Sequence, residues 1–151
     1  LNLAGSVVEN IEAFGMPVVT DKADYASARL RFKNGCCAQI TASRVSKDKV
    51  RTLRIYQDRE YITVDYANQR ISVTRSAGDA ASGAPALTEK EIKIEKRASL
   101  LEEIKSFIHS CASRTAPAVS GADGKRALEA SEKVQQAAAA SVKGFLIDRP
   151  R

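Results

Sequence analysis

The sequence predicts an α+β fold: a largely antiparallel, open β-sheet of about six strands, with two C-terminal helices covering one face and the other face left open. Three observations predict it. Period-two alternation of apolar and polar residues dominates the first two thirds of the chain. Short clusters of turn residues separate the alternating stretches, as hairpins require. The last third then changes to helical spacing behind two helix-start signals. At 151 residues the chain suits one domain and buries a core without staples.

The strands come in order. Asn10-Ile-Glu-Ala-Phe14 is an apolar-rich strand that meets Gly15-Met-Pro17, where proline removes a ladder donor and marks an edge or bend. From Asp24 to Phe32, Ala26, Ala28, Leu30 and Phe32 share one face and Tyr25, Ser27, Arg29 and Arg31 the other. Lys33-Asn34-Gly35 supplies a tight hairpin, and Cys36 to Ser43 returns. Leu53 with Ile55, Ile62 with Val64 and Ile71 with Val73 mark the apolar face of three more strands. Gln57-Asp-Arg-Glu60 and Ala67-Asn-Gln69 make their turns. The segments from Asp24 to Thr74 are expected to form a single meandering layer. A Gly-, Ser- and Ala-rich run from Ser76 to Pro85 reads as a mobile surface loop, and Leu87 to Glu95 resumes alternation as a last strand.

An antiparallel sheet with one apolar face needs a cover, and the helices supply it. Ser99 and Glu102 form an S-x-x-E capping box, after which Leu101, Ile104, Ile108 and Cys111 make one apolar stripe, widened by Leu100 and Phe107. That helix is expected to end near Ser113-Arg114. Ser120 and Asp123 open the second helix in the same manner, with Leu128, Ala138, Val142, Phe145 and Leu146 along one side.

Composition excludes several classes of function. Hydrophobic residues at 44% and charged residues at 28% suit a soluble globular domain, and no apolar run approaches the roughly 20 residues of a membrane span. A cytoplasmic protein is expected. The net charge of +6 invites a nucleic-acid reading, yet the basic residues are scattered and aromatics reach only 5%, so neither a basic block nor a stacking platform forms. No nucleic-acid or membrane partner is expected. Cys36, Cys37 and Cys111 make no disulfide framework and read as packing residues. The single histidine, His109, lies on a helix with no convergent ligands, so no metal site is expected. Ser120-Gly-Ala-Asp-Gly-Lys125 has two residues between its glycines where a Walker A loop needs four. No G-x-G-x-x-G, G-x-S-x-G or H-E-x-x-H motif occurs. Asp21, Asp24, Asp58 and Asp65 read as turn or strand-end carboxylates, and no acid–base pair stands out among them.

Several segments taken together resemble the C-terminal domain of the Gfo/Idh/MocA oxidoreductases. They are Asp24-Tyr-Ala-Ser-Ala-Arg-Leu-Arg-Phe32 with Asn34-Gly35, Thr41-Ala-Ser-Arg-Val45, Arg54-Ile-Tyr56, Tyr61-Ile-Thr-Val-Asp65 and Gly124-Lys-Arg-Ala-Leu128, spread from about Pro17 to Phe145. The order and spacing carry the likeness. Where family hairpins usually carry glycine in the Tyr56 to Tyr61 turn, this chain has Gln57 and Glu60 instead. The opening residues Leu1-Asn2-Leu3, with neither an initiator Met nor a basic leader, read as a start within a longer protein.

The resemblance implies an enzyme that holds NAD or NADP in an N-terminal Rossmann domain absent from this chain, and that transfers a hydride to or from a sugar, nucleotide sugar or cyclitol. The family's catalytic lysine and Asp-x-x-x-His pair match no residue here, so the chain alone is expected to be inert and to bind no cofactor. It would contribute a substrate-cleft wall and a subunit interface. For substrate contact the expected residues are Arg44, Ser46, Lys49 and Arg51, whose donors suit sugar hydroxyls or a diphosphate. For a homo-oligomer interface they are Arg29, Arg31, Gln39, Thr41, Thr52, Arg54 and Thr63, on the helix-free sheet face. The alternative reading is a non-enzymatic binding or assembly module with a basic surface.

Overall fold

The computed structural model describes residues 1–77 and 86–147, the side chains of 77, 86 and 145–147 excepted. After a short 3-10 turn at Asn2–Ala4 come β1 (Val8–Met16), β2 (Tyr25–Phe32), β3 (Cys37–Ser43), β4 (Thr52–Gln57), β5 (Glu60–Asp65), β6 (Arg70–Ala77), β7 (Ala86–Ile92), α1 (Ser99–Ser113) and α2 (Gly121–Ile147). The fold is α+β with open antiparallel sheets, as the alternation predicts. The seven strands, however, form two sheets, ordered β1-β2-β3 and β4-β5-β6-β7, in place of one continuous layer. The chain leaves the first ladder after Ser43. There the Ser43 hydroxyl accepts from the N–H groups of Val45 and Ser46 at 3.3 and 3.1 Å, and the Arg44 N–H turns back to the Asp24 carbonyl at 2.9 Å.

The chain divides into two compact units, residues 1–47 with 106–151, and residues 48–105. In the first, β2 pairs with both neighbours and its inward residues Ala28, Leu30 and Phe32 are buried. Ile11, Ala13, Ala38 and Val134 pack around them. Helix α2 lies on β1, burying Ala138 and Val142. Gly15 permits that approach: a Cβ there would stand 2.9 Å from the Ala138 carbonyl oxygen and 3.1 Å from Val142 Cγ2. At the far edge, Ile40 lies opposite Ala28 but stays about half exposed, because α2 sits over β1. The β2–β3 hairpin turns through Gly35 alone in the left-handed region, with φ 85°. Asn34 instead donates to the Ala4 carbonyl at 2.8 Å, tying the hairpin to the chain start.

In the second unit the register places Leu53 beside Val64 and Ile71, and Ile55 beside Ile62 and Val73, which makes one half-buried apolar face. The β4–β5 turn puts Arg59 in the left-handed region at φ 56°, the work a glycine usually does. The β5–β6 turn is an Asx turn: Asp65 accepts from the Ala67 and Asn68 N–H groups at 2.9 and 3.0 Å. The segment expected as a surface loop begins inside β6, and its remainder at 78–85 lies outside the described residues.

The helices differ from each other. Ser120 and Asp123 cap α2 reciprocally: the Asp123 N–H donates to Ser120 Oγ at 3.2 Å, and the Ser120 N–H to Asp123 Oδ2 at 2.8 Å. The box expected on α1 is not formed. Ser99 is already helical, the Glu102 N–H donates to the Ala98 carbonyl, and the Glu102 carboxylate accepts from Lys105 and pairs with Arg97. No residue of α1 is buried, and its stripe of Leu101, Ile104 and Ile108 is exposed. The helix ends where expected, with Arg114 at φ 53° and the Thr115 N–H on the Ser110 carbonyl. The expected side chains of Phe145 and Leu146 lie outside the described residues.

Candidate functional site

A buried polar cluster is built on Asp24, just before β2. Pro17 stops β1 and is buried, and the chain then wraps around the Asp24 carboxylate. Oδ2 accepts from the N–H groups of Val18, Val19 and Thr20 at 2.9, 2.7 and 2.8 Å. Oδ1 accepts from the Thr20 hydroxyl at 2.9 Å. The residue is only 2% exposed. The N–H groups of Thr20 and then Val19, helped by Val18 and the Thr20 hydroxyl, hold the carboxyl far below the usual carboxylate range, against the opposing effect of burial.

Arg44, at the end of β3, closes on this group from outside. Its Nε lies 3.3 Å from Asp24 Oδ1, and Nη2 donates to the Ala23 carbonyl at 2.8 Å. The arginine side chain is nevertheless 57% exposed while that of Asp24 is fully covered. Ser46 bends back so that its hydroxyl bonds Ser43 Oγ at 2.7 Å. The four expected substrate residues therefore divide: Arg44 and Ser46 belong to the first unit, Lys49 and Arg51 to the second, and all four are exposed. The sequence alone presents Asp24 as a strand-end carboxylate, and its partnership with a residue 20 positions on has no periodic signal.

The expected interface residues also divide between the two sheets. Arg29 pairs with Gln39 and Ser27 with Thr41 across β2 and β3, so Arg29, Arg31, Gln39 and Thr41 share the polar face of the first sheet. Glu12, Phe14, Ser27, Arg29 and Gln39 line a shallow groove on that face. Arg54 pairs with Thr63 across β4 and β5, and Thr52 shares their face of the second sheet. That face carries the stacked pair Tyr56–Tyr61, ring centroids 5.7 Å apart, and a groove that includes Thr63, Asp65, Arg70, Ser72 and Glu91. Neither groove contains Arg44.

The cysteines correct a sequence expectation. Cys36, Cys37 and Cys111 are free and all exposed, so they do not pack a core: the first two sit where the hairpin enters the edge strand β3, and the third lies on the uncovered α1. Among the described residues no group of three His, Cys, Asp or Glu side chains is placed to hold a metal. No described helix is long and apolar enough to cross a membrane. Every described ladder is antiparallel, and none leads through a glycine-rich turn into a helix, so these residues do not fit a βαβ dinucleotide site.

No family model matches the chain. UDP-N-acetylglucosamine 3-dehydrogenase from Acidithiobacillus ferrooxidans is 31% identical over 137 residues, which is 91% of this chain and 44% of that protein. The chain is a relative of its C-terminal part. A solved structure of the same dehydrogenase superposes with a TM-score of 0.84 at 30% identity, over 91% of this chain and 44% of the other. A second crystal form gives 0.80 at 29%, over 91% and 42%. Levoglucosan dehydrogenase, solved in complex with NADH and L-sorbose, shares the fold at a TM-score of 0.67 and 16% identity, over 89% and 43%. The chain thus spans less than half the length of each of these proteins.

Proposed function

We propose that this chain is the C-terminal domain of a Gfo/Idh/MocA-type, NAD- or NADP-dependent oxidoreductase that acts by hydride transfer on a nucleotide sugar. The observation that carries the proposal is the match to UDP-N-acetylglucosamine 3-dehydrogenase, at 31% identity along 91% of the chain. Nucleotide binding and the acid–base chemistry belong to a domain outside this chain. Here the residues bind and orient: Arg44, Ser46, Lys49 and Arg51 on the substrate side, and the polar sheet faces with Arg29, Arg31, Gln39, Thr41, Thr52, Arg54 and Thr63 toward a second subunit. The work takes place in the cytoplasm.

The test is the product of the whole reading frame, purified and incubated with NAD⁺ or NADP⁺ and UDP-N-acetylglucosamine. Reduced nicotinamide should accumulate, whereas the 151-residue chain under the same conditions should yield none. Turnover by the short chain would show that the chemistry resides within it and sink the proposal. Light scattering on the full product should report a dimer or larger, and a monomer at high concentration contradicts the interface role.

A further inference from the structure

We propose that Asp24 and Arg44 form a preset anion fork, in which Arg44 binds the phosphates of the nucleotide sugar and Asp24 holds its guanidinium in place. The inference rests on the nucleotide-sugar reading above and names the pair of residues that performs it. Three observations support it.

The Asp24 carboxylate is already satisfied without arginine, since four donors from residues 18–20 reach it at 2.7–2.9 Å. Arg44 is therefore not needed to make burial of the carboxylate tolerable. Its position is nonetheless fixed at three points on Ala23–Asp24: the backbone N–H on the Asp24 carbonyl at 2.9 Å, Nε near Oδ1 at 3.3 Å, and Nη2 on the Ala23 carbonyl at 2.8 Å.

A guanidinium carries five N–H donors in a rigid plane. Arg44 spends one of them, from Nη2, on the Ala23 carbonyl, while Nε faces Asp24 Oδ1 as an ion pair. The remaining donors, on Nη1 and the outer side of Nη2, have no partner among the described hydrogen bonds, and the side chain is more than half exposed. That end edge matches two oxygens of a phosphate, the bidentate geometry that a lysine cannot offer. Rotamer freedom that an unrestrained arginine loses on binding has here been lost on folding, which favours affinity.

The experiment uses the full reading-frame product and measures Kd by calorimetry for UDP-N-acetylglucosamine and for free N-acetylglucosamine, each at low and high salt. Arg44→Gln is expected to weaken the nucleotide sugar roughly 10- to 100-fold, the range for a lost charge-assisted pair. It should also flatten the salt dependence and leave the free sugar unaffected. Arg44→Lys keeps the charge without the fork and should recover the salt dependence but only part of the affinity. Asp24→Asn should weaken binding in the same direction through a misplaced Arg44, with a reduced melting temperature. If Arg44→Gln lowers the melting temperature but leaves Kd and salt dependence at wild-type values, Arg44 is only a loop clamp and the inference falls while the function proposal stands. If the wild type binds free sugar and not the nucleotide sugar, both fall.

Discussion

Adding one methyl group at Gly15 is expected to destabilise the first unit through a collision that the structure locates. A Cβ at this position would lie 2.9 Å from the Ala138 carbonyl oxygen, 2.9 Å from Ala23 Cβ and 3.1 Å from Val142 Cγ2. Comfortable non-bonded separations are about 3.5–4.0 Å, so each contact is short by roughly half an ångström or more. Two of the three obstacles cannot swing aside: the Ala138 oxygen belongs to the backbone of α2, and Ala23 is fixed by the Asp24 turn. The helix or the strand must move, and overpacking of this kind costs about 1–3 kcal/mol. For a chain of this length that corresponds to a fall in melting temperature of roughly 3–10 °C. Gly144 provides the control, because it lies in α2 and a Cβ there meets nothing within 4 Å. Gly144→Ala should therefore stabilise by about 0.5–1 kcal/mol through helix propensity alone. Thermal melts followed by circular dichroism compare the two variants directly. If both substitutions raise the melting temperature, α2 does not close on β1 at Gly15 and the packing argument is refuted.

Other consequences follow from the same geometry. Asp24, Asp65 and Asp123 all have carboxyls below the ordinary value, chiefly through hydrogen bonds from Thr20, Asn68 and Ser120 respectively. Depressed folded values mean that the unfolded chain takes up protons first, so stability is complete above about pH 4 and drains away as the pH falls below that. Urea denaturation across an acid series should show this limb, and Asp24→Asn should make it shallower while lowering stability at neutral pH. Arg59 and Arg114 occupy left-handed φ near 56° and 53°, so replacing either with glycine should stabilise by up to about 1 kcal/mol, read as a raised denaturation midpoint. Ser120→Ala should cost about 1 kcal/mol through its lost cap, whereas Ser99→Ala should be close to neutral because its hydroxyl caps nothing among the described residues. Equal effects in the two serine variants would contradict the assigned caps.

Local features were legible where a short stretch of chain contains all the physics. The β2–β3 hairpin, the three β4–β6 stretches and the α2 cap each depend on neighbours within a few residues, and period-two alternation or an S-x-x-D spacing announces them. The division into two sheets was not legible, because alternation tells which face a residue takes and not whether the next strand continues the ladder. Ser43 makes the break by capturing the following N–H groups, yet a serine at a strand end is commonplace. The α1 box fails for a similar reason: Ser99 and Glu102 have the right spacing, but Arg97 and Lys105 compete for the carboxylate. Exposure of the cysteines depends on which strand is an edge and which helix lacks cover, both properties of the assembled fold. As for the site, residue type and loop position mark Arg44, while Asp24 leaves no local signal of its role because its pairing with Arg44 spans 20 residues.

Whether this chain belongs to a hydride-transferring nucleotide-sugar enzyme is decided most directly by isotope tracing on the full reading-frame product. UDP-N-acetylglucosamine carrying deuterium on ring carbon 3 is incubated with the protein and oxidised nicotinamide, and the reduced nicotinamide is examined by NMR and mass spectrometry. The account predicts that the deuterium appears on the nicotinamide ring as a keto sugar forms. Deuterium that stays on the sugar, or escapes to solvent with no reduced nicotinamide, contradicts it.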